Sequence, residues 1–134
     1  KLLPESIAGE VRVLGIMNYA VHTLHTQGFA RIFTTERFSP SSSDHESVKA
    51  QGRQIIDQGF AIINRELEGR DYVAEHFSIA DAALFYVEFW ADRTGIPLPA
   101  NCAAHYRRLL TRPAVRQVLA EEGYASVLRQ TSQG

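Results

Sequence analysis

The chain has 134 residues, 45% of them hydrophobic and 22% charged, enough to enclose one core without disulfides or a structural metal. Fourteen Lys and Arg against fifteen Asp and Glu give a formal net charge of -1, which excludes the basic balance of a nucleic-acid binder or a polybasic membrane anchor. The one cysteine, Cys102, has no partner for an intrachain disulfide or a cysteine zinc site. No stretch reaches 18 apolar residues and Lys1 to Ser6 lacks a secretory h-region, so a cytoplasmic location without nucleic-acid or membrane partners is expected.

From Ile7 to Phe33 apolar residues recur at helical spacing, through Val11, Leu14, Met17, Val21, Leu24, Phe29 and Ile32. A helix of about 30 residues would run roughly 45 Å at 1.5 Å per residue and project past a small core. Pro4 suits a first turn, and Gly28 marks a bend near the far end. His22 and His25 stand i, i+3 and could share a metal, but no nearby carboxylate of the helix completes a site, so no metal is expected. Asn18 and His25, nearly two turns apart, fall on one face with Val11, Leu14, Val21 and Ile32. Polar groups in such a stripe either satisfy a structural hydrogen bond or point into a cleft.

Ser39-Pro40-Ser41-Ser42-Ser43 is a loop by composition. Ser43 with Glu46 reads as a capping box for a second helix bearing Val48, Ile55, Ile56, Ile62, Ile63 and Leu67, with Gly69 at its C-terminal end. The first two helices are then antiparallel. Ser78 is an N-cap candidate for a third helix, with Asp81 at the return position of the box and Phe77 placed to staple against Ala82. Between Ala80 and Ala91 only Asp81 and Glu88 are charged, so this helix belongs in the centre of the molecule.

Gly95 and Pro97 close that helix. Asn101 is placed to cap a fourth, running through Tyr106 and Leu110, and Pro113 opens a fifth that Gly123 ends. Cys102 reads as a small buried hydrophobe, and Arg107, Arg108, Arg112 and Arg116 as a solvated basic face. No phosphate-binding glycine loop, nucleophile elbow or His-Glu-x-x-His motif is present. The reading is an all-α bundle of about five main helices.

With these residues in place, the sequence resembles the C-terminal helical domain of cytosolic glutathione S-transferases. Phe77-Ser78-Ile79-Ala80-Asp81 is similar to that family's capping box and staple, and Arg112-Pro113-Ala114-Val115 to its following turn. Met17-Asn18-Tyr19 through Leu24-His25 and Gly28-Phe29 further resembles the first helix of the bacterial, beta-like enzymes, with Thr26 standing where those often place Lys. The resemblance implies residues 1–6 as an interdomain linker remnant, 7–125 as the helical domain and 126–134 as a flexible tail. It also implies an N-terminal thioredoxin-like domain, absent from this sequence, that activates the thiol.

On this reading Asn18 and His25 contact glutathione, and Phe29, Phe33, Tyr86 and Trp90 line a hydrophobic substrate pocket. Ser78 and Asp81 are structural, and the chain holds neither a catalytic residue nor a cofactor of its own. The parent would be a homodimeric detoxification enzyme conjugating glutathione, as co-substrate, to small hydrophobic electrophiles, and the segment alone would be inactive. The alternative implied is a non-catalytic module that reuses the fold for protein–protein assembly.

Overall fold

Ser6 starts the first helix, its hydroxyl accepting the Gly9 N–H at 3.1 Å, so α1 (Ile7–Tyr19) begins beyond Pro4 and the proline lies outside its first turn. The computed structural model describes residues 1–130. The chain continues from α1 without a break into a π-helical segment, Ala20–Phe29, and then α2 (Ala30–Phe33). The Ala30 N–H reaches the His25 carbonyl five residues back, the wider π pattern. One long element is therefore present as expected, but not at a constant 3.6 residues per turn.

Short 3-10 turns at Thr35–Arg37 and Ser42–Asp44 lead into α3 (His45–Glu66). The 3-10 turn absorbs Ser43, so the expected Ser43–Glu46 capping box does not form. Ser43 Oγ instead meets Ser41 Oγ at 2.8 Å, and Asp44 accepts the Ser39 hydroxyl at 2.7 Å. The two long elements are antiparallel and packed at glycine contacts. A Cβ at Gly59 would stand 2.5 Å from Leu24 Cδ2, one at Gly28 2.7 Å from Ile56 Cγ1, and one at Gly52 2.8 Å from both Arg31 Cβ and the Gly28 carbonyl oxygen. Gly28 thus lies in a helix contact, and the missing side chains let the backbones approach.

The remaining helices are α4 (Ile79–Thr94), α5 (Ala100–Leu110), α6 (Pro113–Glu121) and α7 (Ala125–Gln130); no strand occurs among the described residues. Ser78 and Asp81 form the expected reciprocal box at the start of α4. Ala82 is exposed and makes no staple; Phe77 packs edge-on against Tyr72 at 6.0 Å and beneath the Arg112 guanidinium at 3.8 Å. Gly95 closes α4 with φ +72, in the left-handed region that glycine enters without steric cost.

Asn101 does not cap α5, which begins one residue earlier behind Pro99. It clasps α3 instead: its N–H donates to Asn64 Oδ1 at 2.8 Å and its side-chain amide to the Asn64 carbonyl at 2.9 Å. The expected flexible tail begins with α7, whose Val127 is 2% exposed against Tyr106, Leu110 and Leu119. The rest of that tail, 131–134, lies outside the described residues. The main core joins Val13, Leu24 and Phe29 to Ile56, Phe60 and Ile63 of α3 and to Leu84 and Val87 of α4, so α4 is central as its composition requires.

Candidate functional site

The π-helical segment, α2 and α4 bring five of the six expected ligand-site residues into one aromatic cluster. Trp90 is its hub: its ring centroid lies 4.9 Å from His25, 5.0 Å from Tyr86, 5.3 Å from Phe33 and 5.5 Å from Phe29, each at a steep interplanar angle. Edge-to-face contacts of this kind are favourable for aromatic rings. Phe29 is fully buried and stacks on Phe33 at 5.7 Å, whereas Phe33 is 48% exposed. The cluster is therefore a wall with a buried back and an open front.

His25 Nδ1 and the Tyr86 hydroxyl are 3.3 Å apart. Burial raises the Tyr86 pKa, which keeps the phenol neutral and its hydroxyl able to donate. Sequence spacing did not suggest this pair, because the residues lie 61 positions apart. Asn18, the sixth residue, is exposed and outside this cluster. The wider turns between Ala20 and His25 break the register on which its shared face with His25 rests.

Most of the stripe that was to carry Asn18 faces outward. Val11 is 65%, Leu14 40% and Val21 38% exposed, and Ile7, one turn earlier, is 81% exposed. Two cavities lie away from the aromatic wall. One of about 770 Å³ is bordered by Asp92, Ile96, Leu98, Tyr106, Arg107 and Val127. The other, of about 690 Å³, lies between Lys1–Ser6, Arg12, Arg70 and His76.

Behind the wall, on the opposite face of α4, lies a buried ionic cluster that sequence reading missed. Asp81 and Glu88 are 0% and His105 of α5 1% exposed; His105 Nε2 is 3.0 Å from Asp81 Oδ1, and Nδ1 is 3.0 Å from both Glu88 oxygens. The signal available was that the only two charges between Ala80 and Ala91 stand seven residues apart, hence on one face, and need a cationic partner. Among the described residues no group of three or more His, Cys, Asp or Glu side chains is arranged to hold a metal ion. Nor is any helix there long and apolar enough to cross a membrane.

Comparison with known proteins agrees with the fold. A family described as "Glutathione S-transferase, C-terminal domain" matches residues 46–110. A glutathione S-transferase from Xylella fastidiosa superposes with a TM-score of 0.78 at 19% identity, over 88% of this chain and 58% of that one. A glutathione transferase homologue from Sulfitobacter, solved with bound glutathione, gives 0.79 at 22% identity, over 90% of this chain and 59% of that one. The chain thus spans less than two thirds of the length of these structures. No curated protein matches it by sequence. Residues 46–110 match that family, and over 88–90% of its length the chain shares the all-helical, glutathione S-transferase C-terminal-like fold of these structures.

Proposed function

We propose that this domain forms the electrophile-side wall of a glutathione transferase that conjugates glutathione to small hydrophobic, preferentially aromatic, electrophiles. The observation that carries the reading is the convergence of His25, Phe29, Phe33, Tyr86 and Trp90 on one partly open face. Such a face offers ring contacts to a planar acceptor and, at the His25–Tyr86 pair, a polar edge beside it. Glutathione would lie along the first helix, where His25 is half-buried and Asn18 exposed to a ligand or a neighbouring subunit.

A wall needs a second side. A thioredoxin-like domain supplying the thiol-activating residue would provide it, and the exposed row of Ile7, Val11, Leu14 and Val21 is the kind of surface that such a domain or a second subunit covers. The same row supports the other reading, a non-catalytic assembly module, in which the partner is a different protein and the wall binds no ligand. The parent enzyme would act in the cytoplasm, in detoxification.

Trp90 is the chain's one tryptophan, so its emission reports on the wall without labelling. Titration with a glutathione conjugate bearing an aromatic group should change that emission saturably, and Phe33→Ala should weaken the response. If the thiol-activating residue sits on the other domain, the chain alone should not accelerate conjugation of a chlorinated aromatic, since the nucleophile is a thiolate. Emission indifferent to the conjugate favours the assembly module.

A further inference from the structure

The ionic cluster behind the wall has a proton requirement that its geometry dictates. A neutral imidazole offers one N–H and one lone pair, yet both ring nitrogens of His105 face carboxylate oxygens at 3.0 Å. A lone pair in either gap would oppose the oxygen's own, so each gap must hold a proton. On the Asp81 side that proton belongs to the ring, because the carboxylate is already engaged as an acceptor. Its Oδ1 takes the Val73 N–H at 2.8 Å, and its Oδ2 takes the Ser78 N–H at 2.7 Å and the Ser78 hydroxyl at 2.8 Å. On the other side Glu88 has His105 as its hydrogen-bond partner, and the proton is shared across that gap.

We propose that Asp81, Glu88 and His105 form a proton-dependent lock. With both gaps occupied it ties the start of α4 and the Val73 loop to α5; losing a proton loosens α4 and disturbs the Tyr86–Trp90 face on its other side. Asp81 and Glu88 are an i, i+7 pair, and Tyr86 and Trp90 an i, i+4 pair on the opposite face, so a shift of α4 at the lock is a shift of the wall. The inference does not depend on what the wall binds.

Among the described residues the surroundings offer no substitute cation. From α5, Cys102 and Tyr106 pack near Glu88; burial first, with the Glu88 charge adding to it, pushes the thiol up to about 12, and burial and the Asp92 carboxylate raise the Tyr106 phenol. From α1, Arg12 donates to the Val73 carbonyl at 2.8 Å, but its charge is paired with Glu66 at 2.7 Å. Burial raises Glu88 to about 7. Burial alone would lower His105, but its bonds to Asp81 and Glu88 outweigh that and raise it to about 9.

Both shifts mean that the folded chain holds protons more tightly than the unfolded one. The cluster's contribution is therefore complete in acid: the Glu88 share is lost between the ordinary carboxylate range and about 7, and the gaps themselves lose a proton only as His105 gives up its second ring proton, between the ordinary imidazole range and about 9. Asp81 acts oppositely: burial raises its pKa, but the bonds from His105, Val73 and Ser78 outweigh this and lower it, so its share is lost only in acid.

The test uses the chain labelled with 15N at histidine. At about pH 7.5, roughly one unit above the ordinary imidazole midpoint, both ring nitrogens of His105 should still be protonated. The thermal midpoint should fall on the order of 5 °C or more between about pH 6.5 and 9.5, and Trp90 emission should move over the same range before unfolding. Replacing the pair by apolar groups, Glu88→Leu with His105→Phe, should flatten both responses. Glu88→Gln, which keeps the shape, should remove the fall below about pH 7 and shrink the fall above it, because His105 loses one of the two carboxylates that raise it, and it decides the matter if the double variant does not fold. A neutral His105 ring at that pH, a Trp90 signal unchanged across the range, or equal pH dependence in the variants overturns the lock.

Discussion

Asp81 does more than the cap that its spacing from Ser78 announces. Its two oxygens take three N–H or O–H donors as well as the His105 ring, and it is fully buried. Losing a buried partner of an ion pair costs about 3–5 kcal/mol, well above the roughly 1 kcal/mol of an ordinary N-cap. Denaturant unfolding near neutrality should therefore show Asp81→Ala several-fold more destabilising than Ser78→Ala; losses of equal size would mean that the His105 bond adds nothing. The cap was legible because Ser-x-x-Asp is a local pattern. His105 was not, because its partners come from 17 and 24 residues away and no local rule marks a histidine as cationic. The wall residues were legible only through the family resemblance, since an apolar helix explains Trp90 equally well by packing.

At the scale of elements, amphipathic periodicity located every long helix but not how the first one winds. Leu24 and Phe29 are both fully buried, yet stand five residues apart, a spacing that fits neither three- nor four-residue steps; it is the trace of the π segment in the sequence. The glycines were equally hard to read, because a glycine that interrupts a helix and one that admits a neighbour look alike. Gly15 has open space around it, whereas a Cβ at Gly52 would meet the Gly28 carbonyl oxygen at 2.8 Å, and a backbone oxygen cannot yield without moving the helix. Gly15→Ala should thus stabilise by about 0.5–1 kcal/mol, and Gly52→Ala should destabilise by about 1–3 kcal/mol. Thermal melts of the two variants should move in opposite directions; movement in the same direction would remove the close helix contact from the account.

The whole molecule has a finished core and an unfinished surface. The row of Ile7, Val11, Leu14 and Val21 is exposed along some 14 positions of the first helix, and apolar contacts of this kind drive association when several can be covered together. The chain should self-associate as its concentration rises, and Val11→Glu with Leu14→Glu should return it to a monomer by light scattering; a wild-type monomer at high concentration would leave the row without that role. The claim on which the function rests is that ligands meet the molecule at Trp90. Two-dimensional NMR of the labelled chain, with and without an aromatic glutathione conjugate, tests it most directly. The account predicts the largest shifts at the Trp90 indole, Tyr86, His25 and Phe33, with Tyr106 and Arg107 beside the 770 Å³ cavity unmoved; shifts centred on that cavity, or none at saturating conjugate, would contradict it.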